Sequence, residues 1–307
     1  MRTDMQKTFN IPREKMVGEE LVQPGMLSCQ GCGASLSMKL ALKGLGEKTI
    51  IVIPACCWSI IIGAYPYSSL QVPVIHVPFE TAAVAASGVK AAMNMRGETD
   101  VTVMAWAGDG GTYDIGLQAL SGAAERNDDI LYVCYDNEAY MNTGIQRSSA
   151  TPPGAWTTTT PAGAVKEEPK KDMEKIMLAH GVPYVASASV AYPDDLVRKF
   201  EKAKTIRGTR FIHLLSPCPP GWRIDSAKSI SITRMATQSC IFPIFEIEEG
   251  NYTLNVVPDK TLQVQDYLRV QGRFKEMEES MVKRVQQQVD HRWQELLALA
   301  KRRENQI

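Results

Sequence analysis

Short β-branched apolar runs punctuate the first two thirds of the chain. Residues 50–53, 101–107, 130–135 and 211–215 are rich in Val, Ile and Leu and bounded by turn-forming residues, as strands buried on both faces of a parallel sheet are. Residues 74–77 are a weaker example. Between the runs, apolar positions recur at helical spacing over residues 34–45, 81–95, 115–126, 173–180 and 194–204. Strand alternates with helix, which predicts an α/β fold. It is a doubly wound, mostly parallel sheet with its binding loops at the strand ends.

Two stretches break the alternation. Residues 141–169 are rich in Thr, Pro, Gly and Ser and carry no sustained apolar period, and so long a loop inside a compact domain is functional or disordered. Past residue 224 the pattern changes to a hairpin over 242–257 and then a helix. In that helix Val282, Val285, Val289, Trp293, Leu296 and Ala300 form one apolar stripe at steps of three and four. Residues 1–224 therefore read as the core domain. Residues 225–307 read as a C-terminal hairpin and helix extension that packs on that core or on a partner subunit.

A hydrophobic content of 44% over 307 residues is enough for a large buried core. The 34 basic and 34 acidic residues cancel, so no global field draws the chain to nucleic acid or to an anionic membrane. No apolar run is long enough to span a bilayer, and the polar start lacks the apolar core of a secretory signal. The cytoplasm is the expected location. In that setting the seven cysteines point to metal binding, redox chemistry or buried thiols before disulfides.

The run 101–107 leads into Gly108, Asp109, Gly110 and Gly111, followed by a helical segment. A glycine turn between strand and helix lets backbone N–H groups approach a phosphate. Asp109 adds a hard oxygen suited to Mg²⁺, which takes one or two protein oxygens alongside those of phosphate. Gly-Asp-Gly alone is common in turns. The next strand, however, ends in Asp136, Asn137, Glu138 and Ala139, and Asn137 follows Asp109 by 28 positions. That leaves room for one helix and one strand, so a parallel neighbour sets Asn137 beside Asp109.

Cys29-Gln30-Gly31-Cys32 forms a tight turn that aims two thiolates at one metal. Structural zinc needs two further ligands in a second close pair, and thioredoxin chemistry needs a thioredoxin-like unit. The sequence offers neither, and its four histidines are scattered. Cys57 follows one predicted strand, and Cys218, between Pro217 and Pro219, follows another. Four thiolates from three loops at one end of a sheet can enclose a [4Fe–4S] cluster. Cys56 adjoins Cys57 and leaves the third ligand open between the two; Cys134 and Cys240 read as core thiols.

Gly-Asp-Gly followed at this distance by Asn resembles the thiamin diphosphate signature. Residues 107–122 (AGDGGTYDIGLQALSG) and 135–144 (YDNEAYMNTG) are similar to the beta subunit of pyruvate:ferredoxin oxidoreductases, within the 2-oxoacid:ferredoxin oxidoreductase family. So are Gln146-Arg147-Ser148, Ala155-Trp156-Thr157 and Gln271-Gly272-Arg273-Phe274, and the likeness runs from about Gly25 to Trp293. It departs at Ala55-Cys56-Cys57-Trp58-Ser59, where many relatives carry Gly-Cys and then a small or acidic stretch. The departure bears on substrate and cluster environment.

The resemblance implies the diphosphate-binding half of a thiamin-diphosphate-binding fold. In it Asp109, Asn137 and the Ala139 carbonyl hold Mg²⁺ beside the Gly108, Gly110 and Gly111 turn. The same resemblance places the cluster nearest the thiamin on Cys29, Cys32, Cys57 and Cys218. Asn142 matches the polar contact to the reacting group, although an Asn suits the turn before Gly144 equally well. Glu80 opens a helix, where capping and dipole stabilisation are the simpler role and an active-site contact stays open. The implied reaction is reversible oxidative decarboxylation of pyruvate with coenzyme A to acetyl-CoA and CO₂, with electrons passing to ferredoxin. Oxalate, handled without coenzyme A, is the alternative substrate, followed by branched-chain 2-oxoacids and 2-oxoglutarate. An iron–sulfur electron-transfer scaffold with a vestigial thiamin fold is the alternative of another class. The implied partners are alpha, gamma and ferredoxin-like delta subunits, separate or fused, one of which brings the glutamate that activates thiamin.

Overall fold

Six strands run parallel through the centre of the molecule: β1 (Thr49–Pro54), β2 (Val74–Val77), β3 (Thr102–Gly108), β4 (Leu131–Asp136), β5 (Tyr184–Ser189) and β6 (Arg210–Leu215). The hairpin β7 (Ile244–Glu248) and β8 (Asn251–Val256) joins the β5 edge antiparallel, giving one sheet in the order β2-β1-β3-β4-β6-β5-β7-β8. The helices are α1 (Gly33–Leu45), α2 (Trp58–Ile61), α3 (Ala82–Met95), α4 (Leu117–Glu125), α5 (Met173–Ala179), α6 (Pro193–Thr205), α7 (Pro219–Trp222), α8 (Ser229–Gln238), α9 (Val264–Arg269) and α10 (Glu279–Glu304). The computed structural model describes residues 20–259 and 261–304. No helix among them is long and apolar enough to cross a membrane.

Alternation along the central strands separates two core layers. Ile51, Ile53, Met104, Trp106, Leu131 and Val133 face α1 and α6, while Val52, Val103, Ala105, Ala107, Tyr132 and Cys134 face α3, α4 and α5. Every residue of β3 and β4 is buried, which explains their continuous apolar runs. The α1–α6 contact is close because Gly44 has no side chain: a Cβ there would lie 2.7 Å from the Val197 carbonyl oxygen. Helix α6 opens on Pro193 with Asp194 and Asp195 in its first turn and closes with Lys202 and Lys204, charges that complement its dipole.

One strand departs from the sequence expectation. β5 reads Tyr-Val-Ala-Ser-Ala-Ser and carries little β-branched signal, yet it lies fully buried between β6 and β7. Its polar Ser187 is satisfied there, donating 2.7 Å to the Pro243 carbonyl while its own carbonyl accepts from Lys199 Nζ at 2.7 Å. Burial on both faces, with each polar group paired, outweighs weak propensity.

The extension continues the central sheet. The stripe on α10 divides between two layers, with Trp293 and Leu296 against the β4 side of the sheet and Val282, Val285 and Val289 against Trp222, Phe242 and Tyr267. The 141–169 loop is irregular but packed: Ser148, Ala150, Thr151, Ala155 and Thr157 are buried. Lys166 Nζ gathers it by donating to the carbonyls of Ser149, Thr151 and Pro169 at 3.2, 2.7 and 3.3 Å.

Candidate cofactor and cluster site

The register of β3 and β4 sets Gly108 opposite Tyr135, so the chain leaves the two strands at the same height, Asp109 on one side and Asp136 and Asn137 on the other. After Gly110 the backbone takes a wide π-helical turn, Gly111–Ile115, closed by Gly116 N–H donating to the Gly111 carbonyl at 2.9 Å. Gly110 must be glycine: a Cβ would lie 2.2 Å from the Tyr140 ring.

Beyond β4, Glu138 adopts a left-handed conformation, with φ of 71°, which is strained for a residue with a side chain. Four contacts hold it and its neighbour there. Glu138 N–H donates to Asp136 Oδ1 at 2.9 Å, Thr151 Oγ1 donates to the Glu138 carbonyl at 2.9 Å, and Trp222 Nε1 donates to the Asn137 carbonyl at 2.9 Å. The fourth is Arg273, which donates to Glu138 Oε2 at 2.5 Å with its guanidinium stacked over the Trp222 ring.

The turn brings oxygens together. One terminal atom of the Asn137 carboxamide lies 3.0 Å from the Ala139 carbonyl oxygen and 3.0 Å from Asp109 Oδ1. With the amide nitrogen in that position both contacts are hydrogen bonds. With the oxygen there, three oxygens converge, and the spacing suits a cation: neighbouring ligands in an Mg²⁺ octahedron with bonds of about 2.1 Å stand about 3.0 Å apart. The charges also suit one. Burial, reinforced by the Asp136 charge, pushes the Asp109 carboxyl well above the usual carboxylate range, although Ser148 Oγ donates to Asp109 Oδ2 at 2.6 Å. Asp136 is equally buried but is held down to about 2 by Lys170 and His213. Of the two, Asp136 has the basic partners, and Asp109 makes no salt bridge among the described residues.

Beside these oxygens is a cavity of about 120 Å³. Gly108, Asp109, Gly110, Gly111, Asn137, Ala139, Asn142 and Cys57 all line it, joined by Cys56, Phe79 and Tyr140. Asn142 is exposed at its mouth. Glu80 is elsewhere: exposed, outside the cavity lining, and not the cap of α3, whose N-cap residue is Thr81 with no side-chain cap bond.

The cysteines gather at the same end of the sheet. Cys32 N–H donates to the Cys29 carbonyl at 3.1 Å, closing the turn, and Gly33 N–H donates to the Pro217 carbonyl at 2.9 Å, tying it to the loop that carries Cys218. Cys32, Cys57 and Cys218 occupy the N-cap positions of α1, α2 and α7. Burial pushes the thiols of Cys57 and Cys218 up to about 12, and neighbouring thiols add to it: Cys218, Cys56 and Cys32 around Cys57, Cys32 and Cys29 around Cys218. Cys56 is hydrogen-bonded with Tyr135 and Ser59 and lines the same cavity as Cys57. Cys134 and Cys240 are both buried, Cys134 within the layer that faces α3, α4 and α5. No three His, Cys, Asp or Glu side chains among the described residues are close enough to share a single metal ion. A four-iron cluster, with one thiolate on each iron, holds its ligands farther apart.

A buried chain of charges that the sequence did not suggest lies beneath the oxygens. His213 sits between Asp136 and Glu174, each 2.7 Å from a ring nitrogen, and Arg292 of α10 reaches Glu174 at 3.6 Å. Lys170 pairs with both Asp136 and Glu138. These residues lie in different segments; Asp136, Glu138 and Arg273 stand in motifs already quoted, but nothing in the sequence pairs them.

Comparison with known proteins gives this geometry a context. The model of the thiamine pyrophosphate enzyme C-terminal TPP-binding domain matches residues 57–214. The chain is 49% identical over 292 residues to ketoisovalerate oxidoreductase subunit VorB of Pyrococcus furiosus, covering 92% of this chain and 94% of that one. It is also 49% identical over 285 residues to pyruvate synthase subunit PorB of Methanothermobacter thermautotrophicus, covering 92% and 99%. The chain belongs to the beta subunits of the 2-oxoacid:ferredoxin oxidoreductase family. The fold is also that of 2-oxoglutarate:ferredoxin oxidoreductase from Magnetococcus marinus, at 24% identity and a TM-score of 0.57 over 70% of this chain and 79% of that one. In this oxidoreductase beta subunit the matched thiamine domain contains Asp109, Asn137 and Cys57, whereas Cys29, Cys32, Cys218 and Arg273 lie outside it.

The His213 ring carries a pH dependence. Burial disfavours its charge, but Glu174 and Asp136 outweigh burial and raise it from 6.5 to about 9. A cation with a raised value contributes its stability in full below pH 6.5 and loses it as the pH climbs through 9. The unfolding free energy of the chain, measured by denaturant titration, should therefore fall across that interval by at most about 3 kcal/mol. In His213→Gln this slope should vanish; an unchanged slope there would place the titration elsewhere.

Proposed function

We propose that the chain is the thiamin-diphosphate-binding catalytic subunit of a pyruvate:ferredoxin oxidoreductase. It decarboxylates pyruvate oxidatively and reversibly, with coenzyme A, to acetyl-CoA and CO₂, and passes the electrons through one [4Fe–4S] cluster to ferredoxin. The observation that carries this reading is a single cavity lined at once by Asp109, Asn137, Ala139 and Cys57. It sets a cation site suited to a diphosphate against one ligand of a cysteine quartet, so electrons released at the cofactor have a short way out.

Thiamin diphosphate supplies the carbanion and electron-sink chemistry that 2-oxoacid decarboxylation needs. Asp109, Asn137 and the Ala139 carbonyl hold Mg²⁺, and through it the diphosphate, while Gly108, Gly110 and Gly111 let the backbone come close. Asn142, at the mouth, offers an amide that both donates and accepts hydrogen bonds to the reacting group. Cys29, Cys32, Cys57 and Cys218 hold the cluster, and Cys56 faces the cofactor pocket.

A partner completes the site. The cavity, at about 120 Å³, is well below the roughly 300 Å³ at which small-molecule pockets begin, and Glu80 stands outside it. A second thiamin fold on an alpha subunit supplies the remaining wall and the activating glutamate, with gamma and ferredoxin-like delta subunits completing the electron relay. The names of the relatives, one a subunit of an oxidoreductase and one a subunit of a synthase, support such an assembly. A second substrate reading, a branched-chain 2-oxoacid, is favoured by the equal identity to the ketoisovalerate relative. Assay of the assembled complex with pyruvate, 2-ketoisovalerate, 2-oxoglutarate and oxalate, following viologen reduction, separates these. Pyruvate should give the highest kcat/KM.

Three outcomes test the assignment. Cys29→Ser, Cys32→Ser, Cys57→Ser and Cys218→Ser should each lose iron and the broad visible absorbance, while Cys56→Ser, Cys134→Ser and Cys240→Ser keep them. Iron lost from Cys56→Ser and kept in Cys57→Ser would reverse the third ligand. Asp109→Ala should abolish bound thiamin diphosphate, measured by release from the purified complex, because backbone donors alone cannot offset the diphosphate charge; normal retention would refute the cation site. The isolated chain, given cluster, thiamin diphosphate, Mg²⁺, coenzyme A and pyruvate, should not reduce viologen until its partners are added. Robust turnover by the chain alone would place the activating glutamate within it.

A further inference from the structure

The Asn137 carboxamide faces two neighbours of opposite demand. One terminal atom points at Asp109 Oδ1 and the Ala139 carbonyl oxygen, 3.0 Å from each. The other points at Cys57 Sγ, 4.0 Å away. The residue is 5% exposed and its backbone carbonyl is held by Trp222 Nε1. The amide has little freedom except to turn about its last torsion and exchange oxygen for nitrogen.

The two orientations have different consequences. Without a cation, an amide oxygen beside Asp109 and Ala139 would face only acceptors, so hydrogen bonding favours the nitrogen there, donating to both and leaving the amide oxygen opposite Cys57. With a cation among the oxygens, the amide oxygen must face it, and the N–H groups turn toward the Cys57 sulfur. Resting on the cation and cluster reading above, we propose that Asn137 couples the two sites. Filling the cation site turns the amide, directs an N–H at the Cys57 thiolate and raises the reduction potential of the cluster.

The physical basis is the added charge of the reduced cluster. A donor aimed at a ligand sulfur stabilises the more negative state, and an acceptor in the same place destabilises it. Direct electrostatics from the cofactor is a poor substitute, because magnesium, diphosphate and thiazolium together carry almost no net charge. The consequence is order: the cluster becomes a ready electron acceptor once the cofactor is in place, and the empty subunit resists idle reduction.

The test is a redox titration of this chain's cluster in the assembled complex, followed by electron paramagnetic resonance, its signal told from those of the ferredoxin-like subunit by its loss in Cys57→Ser. Enzyme stripped of Mg²⁺ and thiamin diphosphate is compared with enzyme reloaded with both, in wild type and in Asn137→Asp, which keeps an oxygen for the cation and loses the donor. Wild type should show a higher potential when loaded and gain a coupling to an exchangeable proton on the reduced cluster, removed in deuterium oxide. Asn137→Asp should show a low potential that loading does not move. Equal potentials in stripped and loaded wild type, or a shift of the same size in Asn137→Asp, would overturn the proposal. If Asn137→Asp does not retain the cofactor, wild type alone decides: an exchangeable coupling absent after loading, or already present before it, is equally fatal. Lack of a [4Fe–4S] signal in the separately purified and reconstituted wild-type chain would refute the cluster itself, and is seen before any titration begins.

Discussion

Parallel pairing of β3 with β4, with Gly108 opposite Tyr135, is the constraint on which the site depends. Asp109 and Asn137 are single residues past the ends of two strands, and nothing local holds them together. Register does, and the two core layers enforce it. A slip by one residue would carry Trp106 into the layer of Ala105 and Ala107 and turn those alanines toward α1 and α6. The geometry around the Asp109, Asn137 and Ala139 oxygens is therefore set largely by the apolar packing of the two strands that lead to them.

Beneath that register lies a concentration of buried charge that packing alone does not account for. Asp136, Glu138 and Glu174 are matched by Lys170, His213, Arg273 and Arg292. Pairs of this kind seldom add net stability, since desolvation offsets their attraction. Their effect is positional: Asp136 and Arg273, together with Thr151, hold Glu138 in its left-handed turn, and the turn aims the Ala139 carbonyl and the Asn137 amide. Asp109 differs, as it has Ser148 as a hydrogen-bond donor and pairs with no basic side chain among the described residues. The surroundings neutralise their own acids and leave one.

The segment past residue 224 belongs to this arrangement. Arg273 crosses 135 positions of sequence to reach Glu138, and Arg292 braces Glu174 from α10. Trp222 joins the parts: it starts one turn after Cys218, its N–H donating to the Cys218 carbonyl at 2.8 Å, and its indole holds the Asn137 carbonyl. The cysteine loop, the Asn137 turn and the extension thus meet at one Arg–Trp pair.

Sequence by itself determined the features that repeat or sit at fixed offsets. Apolar runs marked β1, β3, β4 and β6, helical spacing marked the layers between them, and strand ends located Gly108, Asp109 and Asn137, because a parallel neighbour is the simplest return for a chain of that length. The Cys29 and Cys32 turn was legible for the same reason. Tertiary structure decided the rest. β5 became a strand because its neighbours buried it, and the hairpin at 244–256 joined the sheet because the β5 edge was open to it. The pairing of His213 with Asp136 and Glu174, 77 and 39 positions away, has no period to betray it: a lone polar residue in a strand carries no mark of its partner until folding removes the water that would otherwise have served in its place.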